Sequence, residues 1–152
     1  MTKEQKESEI FYDFEENFFP PNNYHKNKGA LFLDRDGVII QDVNYIKDPN
    51  DVEIEKGLKE LLFKAHEFQW PVFVVTNQSG ISRGFYKWEQ FYKVNKRMIE
   101  LIGKPNPIYS IYANCHITSS ENNWRKPNPF MIQHAAERFN VNLSKSILIG
   151  DR

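Results

Sequence analysis

The chain has 152 residues, a length that suits one domain with one core. Twenty Lys plus Arg against twenty Asp plus Glu leave zero formal net charge, which argues against binding nucleic acid through a broad basic face. Hydrophobic residues at 40% and aromatic residues at 14% exclude a disordered chain, and the single Cys115 excludes an intramolecular disulfide.

Residues 1–28 stand apart from the rest. They carry six acidic groups (Glu4, Glu7, Glu9, Asp13, Glu15 and Glu16), four Lys and the turn-forming run Pro20-Pro21-Asn22-Asn23. The reading is an N-terminal arm whose aromatics, Phe11, Tyr12, Phe14, Phe18 and Phe19, dock on the body or on another subunit. Its simplest form is a helical turn that covers part of the core. The stretch has no apolar run of signal-peptide length, and no segment approaches the ~18 apolar residues of a membrane span. The expectation is a cytoplasmic protein with no membrane partner.

Residues 29–152 form the second region, in which short apolar runs alternate with helical periodicity. The strand candidates are Ala30–Asp34, Val72–Thr76, Ile108–Ala113 and Ser146–Gly150, three of them continuous apolar runs suited to burial on both faces. The helix candidates are carried by Leu58, Leu61, Leu62 and Ala65, by Phe91, Val94, Met98 and Leu101, and by Met131, Ile132, Ala135, Ala136 and Phe139. This alternation predicts an α/β fold, a mostly parallel sheet flanked by helices. Asn128 as cap and Pro129 at the first helical position predict the start of the third helix, placing Lys126 just before it.

In such sheets ligands bind outside the carboxyl ends of the strands. Those ends read Asp34-Arg35-Asp36-Gly37, Thr76-Asn77-Gln78-Ser79-Gly80 and Gly150-Asp151-Arg152, with Arg125-Lys126-Pro127 in the loop after the third strand. Two carboxylates at i and i+2 after a buried strand repel unless a cation holds them or one is protonated. Hard oxygen ligands suit Mg²⁺, and Asp151 would bring a third acidic group to the same ion. One metal, a hydroxyl-and-amide loop and a lysine are the parts needed to bind and transfer a phosphoryl group.

LFLDRDGVII, VVTNQSGISRG, WRKPNP and ILIGD resemble, in order and spacing, the four motifs of the haloacid dehalogenase-type (HAD) phosphohydrolases. The likeness runs from about Leu31 to Arg152, some four-fifths of the chain. DRDGVI, Asn44-Tyr45-Ile46 and TNQSGI-x-RG most resemble the histidinol-phosphate and heptose-bisphosphate phosphatase branch, the heptose enzymes more closely. The resemblance implies a Rossmann-like HAD-type fold with Asp34 as nucleophile and Asp36 as general acid and base, through an aspartyl-phosphate. It implies that Thr76 and Lys126 hold the phosphoryl oxygens, and that Mg²⁺ is bound by the Asp34 carboxylate, the Asp36 backbone carbonyl and Asp151. Asn77, Arg83 and Arg125 are candidates to contact the substrate beyond the reacting phosphate.

Two departures from the family shape the expectations. Many relatives carry a zinc loop, Cys-x-His followed by Cys-x-Cys, before the Arg-Lys-Pro motif, whereas here Cys115-His116 is followed by no further cysteine. One thiolate and one imidazole do not close a tetrahedral site, so structural zinc is not expected. The family's fourth motif also continues past Gly-Asp-Arg, so the domain is expected to be incomplete at its C-terminus. That leaves a sheet edge open to self-association, unless the N-terminal arm or a partner covers it.

The leading function is a Mg²⁺-dependent phosphomonoester hydrolase acting on a small phosphorylated metabolite, a sugar bisphosphate such as heptose bisphosphate, or histidinol phosphate. No large cap domain separates Asp34 from Thr76, so the site should be open. An open site also admits a polymer end, which makes a nucleic-acid 3′-end phosphatase the alternative. Zero net charge and the absence of a P-loop count against it. A different class of answer is an inactive or regulatory remnant that binds a phosphorylated ligand or a partner.

Overall fold

The computed structural model describes residues 2–5, 8–13 and 28–151. Its six strands are β1 (Thr2–Gln5), β2 (Glu9–Asp13), β3 (Leu31–Leu33), β4 (Val72–Asn77), β5 (Ile108–Asn114) and β6 (Ile147–Ile149). Four helices accompany them: α1 (Leu58–Glu67), α2 (Ser79–Ser82), α3 (Trp88–Ile102) and α4 (Phe130–Phe139). The strands form one sheet in the order β1-β2-β5-β4-β3-β6. The last four of that row run parallel, while β2 lies antiparallel to both β1 and β5.

β3, β4 and β5 are buried along nearly their whole length because both of their faces are covered. Leu31, Leu33, Val72 and Val74 pack with Leu58, Leu62, Phe91, Val94 and Met98, so α1 and α3 cover one face. Phe32, Phe73, Val75 and Tyr112 pack with Met131, Ala135 and Ala136 of α4 on the other. This sandwich fixes β3 in the interior of the sheet with its carboxyl end, and therefore Asp34, beside the ends of β4 and β6. Among the described residues no helix is long and apolar enough to cross a membrane.

Three expectations are corrected. The segment expected to hold a helical turn contains strands, because Ile10 and Tyr12 enter the core cluster on one face while Phe11 packs on the other, a period of two rather than 3.6. Phe14, Phe18 and Phe19 lie outside the described residues. The hairpin of β1 and β2 occupies the sheet edge opposite β6, so among the described residues the arm does not cover that strand, and Ile147 and Leu148 are about half exposed. Finally, Asn128 does not cap α4. Pro129 takes the capping position, and the Asn128 amide instead donates to the carbonyls of Ser120 (2.7 Å) and Asn123 (2.9 Å).

Candidate active site

The end of β3 turns through residues 35–40 because the carbonyl of Arg35 accepts from the N–H groups of Ile39 and Ile40, at 2.9 and 3.1 Å. Asp34 is locked at the strand end by its own N–H, which donates to the Ile149 carbonyl at 3.0 Å. Its Oδ1 accepts from the Arg35 N–H at 2.8 Å, and its Oδ2 lies 3.0 Å from Lys126 Nζ. Both side chains are about one-fifth exposed, so the pair is shielded but open to a ligand.

Lys126 reaches Asp34 because Asn77, the last residue of β4, holds its main chain. Asn77 Oδ1 accepts the Lys126 N–H at 3.0 Å, and Nδ2 donates to the Lys126 carbonyl at 3.3 Å. Asn114, at the end of β5, donates to the same Oδ1 at 2.9 Å. The amide named as a candidate substrate contact is thus bonded to the main chain of Lys126.

Thr76 is buried, and its hydroxyl accepts from Gln78 Nε2 at 2.8 Å. The same amide donates to Asp36 Oδ2 at 3.0 Å, which ties the second strand end to the first. Arg35 grips Asp36 as well, Nε to Oδ1 at 3.1 Å and Nη2 to Oδ2 at 3.3 Å. Its guanidinium is fully buried, bonded also to Asn95 Oδ1 (2.9 Å) and Gln78 Oε1 (3.2 Å), and lies 5.0 Å over the Phe91 ring. Asp36 keeps about a quarter of its side chain exposed, so its carboxyl is oriented from behind and reachable from in front.

Two phenols close this network. Tyr86 donates to Gln78 Oε1, and Tyr12, from the hairpin, accepts from Asn95 Nδ2. Burial pushes both pKa values well above the ordinary tyrosine range, so both hydroxyls keep their protons.

Asp151 arrives from β6 against the turn. A Cβ on Gly37, whose φ is +83°, would stand 2.5 Å from Asp151 Oδ2, a closeness that only glycine permits there. The Asp34 and Asp151 carboxylates thus flank one turn, with the Asp36 main-chain carbonyl between them in sequence. No group of three His, Cys, Asp or Glu side chains placed for a metal occurs among the described residues. A cation here would have the Asp34 and Asp151 carboxylates and the Asp36 carbonyl as its protein donors, the Asp36 carboxylate being bonded to Arg35 and Gln78. That donor set, all hard oxygen and incomplete by itself, fits Mg²⁺, which retains several waters.

Arg125 is half-buried, its Nη1 donating to the His116 carbonyl at 2.8 Å, and Arg83 is exposed at the end of α2. Cys115 is buried, with its N–H on the Ser8 carbonyl at 2.9 Å. His116 Nε2 lies 3.1 Å from Glu9 Oε1. A cleft lined by Asn122, Trp124, Phe130, Gln133, His134 and Glu137 opens beside Trp124 and includes none of the site carboxylates.

Sequence reasoning missed Arg35, Gln78, Tyr86 and Asn95. The available signal for Asn95 was a polar residue on the apolar stripe of α3, next to Val94 and in phase with Phe91 and Met98.

A family model described as polynucleotide kinase 3 phosphatase matches residues 30–152. A Mesorhizobium japonicum protein named D-glycero-beta-D-manno-heptose-1,7-bisphosphate 7-phosphatase is 34% identical over 142 residues, which are 88% of this chain and 63% of that one. The chain thus spans less than two thirds of that relative's length. The crystal structure of a putative HAD-like phosphatase from Mesorhizobium loti superposes with a TM-score of 0.85 at 31% identity, covering 97% of this chain and 72% of that one. A D,D-heptose 1,7-bisphosphate phosphatase from B. bronchiseptica, complexed with magnesium and phosphate, gives a TM-score of 0.72 at 27% identity, covering 81% and 70%.

Proposed function

Because the chain belongs to the polynucleotide kinase 3 phosphatase family of HAD-like phosphatases, we propose that it hydrolyses the phosphate monoester of a small phosphorylated sugar, a heptose bisphosphate being the leading candidate. The observation that carries the reading is the pairing of Lys126 Nζ with Asp34 Oδ2 at 3.0 Å, which sets a cation against a partly exposed carboxylate at a strand end.

Asp34 attacks phosphorus in line, its carboxylate oxygen forming the new P–O bond as the bond to the sugar oxygen breaks. Asp36 gives its proton to the departing alkoxide. It then takes a proton from the water that attacks the aspartyl-phosphate, which releases inorganic phosphate and restores Asp34. Lys126 and Thr76 hold the phosphoryl oxygens, and Arg125 and Arg83 serve the remainder of the substrate. Asp34, the Asp36 carbonyl and Asp151 would hold Mg²⁺, which would neutralise phosphoryl charge. A reducing cytoplasm suits the lone buried thiol of Cys115.

The test is phosphate release with Mg²⁺ from heptose bisphosphate, histidinol phosphate, p-nitrophenyl phosphate and a 3′-phosphorylated oligonucleotide, beside Asp34→Asn. Release from the sugar bisphosphate that vanishes in Asp34→Asn supports the reading. Release from the oligonucleotide alone would move the function to nucleic-acid ends, and no release from any compound would overturn the enzyme reading for this chain.

A further inference from the structure

We propose that Glu9, on the N-terminal hairpin, is a positioning residue of the active site, fixing the loop that carries Arg125 and Lys126. Between the end of β5 at Asn114 and the start of α4 at Phe130 the chain has no helix or strand, so its path must be set by individual bonds. Glu9 supplies two of them from one oxygen. Its Oε1 accepts the Trp124 N–H at 2.9 Å and lies 3.1 Å from His116 Nε2, joining the beginning of the loop to its end.

Neighbouring bonds continue the tie. The Cys115 N–H donates to the Ser8 carbonyl at 2.9 Å, and Arg125 Nη1 donates to the His116 carbonyl at 2.8 Å. Asn123 fastens the middle, donating to the Thr118 carbonyl at 2.9 Å and accepting the Arg125 N–H at 3.1 Å. Lys126 follows directly, with its ammonium on Asp34. Glu9 is only 8% exposed, and a carboxylate buried to that degree is costly unless donors satisfy it. The hairpin therefore acts as a strut, pairing with β5 through Glu9–Asp13 while Glu9 reaches past the strand end to the loop.

The kinetic part of the test rests on the phosphatase reading, and hydrogen exchange does not. Glu9→Ala removes both acceptor contacts, whereas Glu9→Gln keeps an acceptor oxygen of the same length. In Glu9→Ala, amide exchange should quicken in peptides covering residues 115–126 and stay unchanged in β3 and β4. The kcat should fall by at least about tenfold for sugar phosphate and p-nitrophenyl phosphate alike, with Glu9→Gln close to the parent protein. Unchanged exchange in the loop, exchange that quickens equally in β3 and β4, or a loosened loop with unchanged kcat would each overturn the proposal. If the parent protein releases no phosphate, the phosphatase reading fails on its own, and the exchange pattern still decides whether Glu9 holds the loop.

Discussion

Asn77 grips the main chain of Lys126 from both sides, accepting its N–H at 3.0 Å and donating to its carbonyl at 3.3 Å. The grip makes the end of β4 the seat of a lysine from a distant loop, and it separates two roles for the amide. If Asn77 serves Lys126, Asn77→Ala should lower kcat by about 10–100-fold for every phosphate ester, large or small. Steady-state kinetics on a sugar phosphate and on p-nitrophenyl phosphate checks this. A rise in KM confined to the sugar would instead make Asn77 a substrate contact.

Gly37 cannot take a side chain without moving Asp151. Gly37→Ala meets both the positive φ of +83° and the Asp151 carboxylate, 2.5 Å from the new carbon. The expected destabilisation is about 1–3 kcal/mol. Urea unfolding measures it, and a Mg²⁺ titration of activity should show a higher half-saturating concentration. Unaltered Mg²⁺ dependence would remove Asp151 from the metal set.

Arg35 is buried with three side-chain partners, so replacing it strands polar groups rather than freeing a surface charge. Arg35→Met should cost roughly 3 kcal/mol, less than a fully enclosed ion pair would because Asp36 is partly exposed. A shift in the urea midpoint at constant m-value is the measurement, and a shift within experimental error would contradict the network.

Tyr12 and Tyr86 give the protein an alkaline weakness. Below the ordinary tyrosine pKa of 10.0 both phenols are neutral in folded and unfolded chain alike. Above it the unfolded chain loses those protons while the folded chain, whose values burial raises, retains them. Stability is therefore full below pH 10 and falls as pH climbs toward the raised native values, by about 1.4 kcal/mol per pH unit for each phenol. Chemical denaturation at pH 9 to 11 should show that slope, and Tyr86→Phe should lessen it.

Much of this arrangement was legible in the sequence. β3 and β4 announced themselves because burial on both faces writes Leu31-Phe32-Leu33 and Val72-Phe73-Val74-Val75 as unbroken apolar runs, and the polar residues that stop each run are in the site. The hairpin was hidden because acidic residues mask the alternation of Ile10, Phe11 and Tyr12, and because its partner strand, Ser110–Asn114, lies about a hundred residues away. Arg35 was passed over since a charged side chain is exposed by default, and only the fold brings Gln78 and Asn95 to it. The Asn77–Lys126 clasp joins residues 49 apart and leaves no local pattern.

Among the described residues the strand that brings Asp151 pairs with β3, leading from Ile149 to the Gly37 turn. A cation held by both Asp34 and Asp151 would tie the end of β6 to the end of β3. Binding the ion and seating Asp151 against the Gly37 turn would then be one equilibrium, in which each favours the other by the same factor.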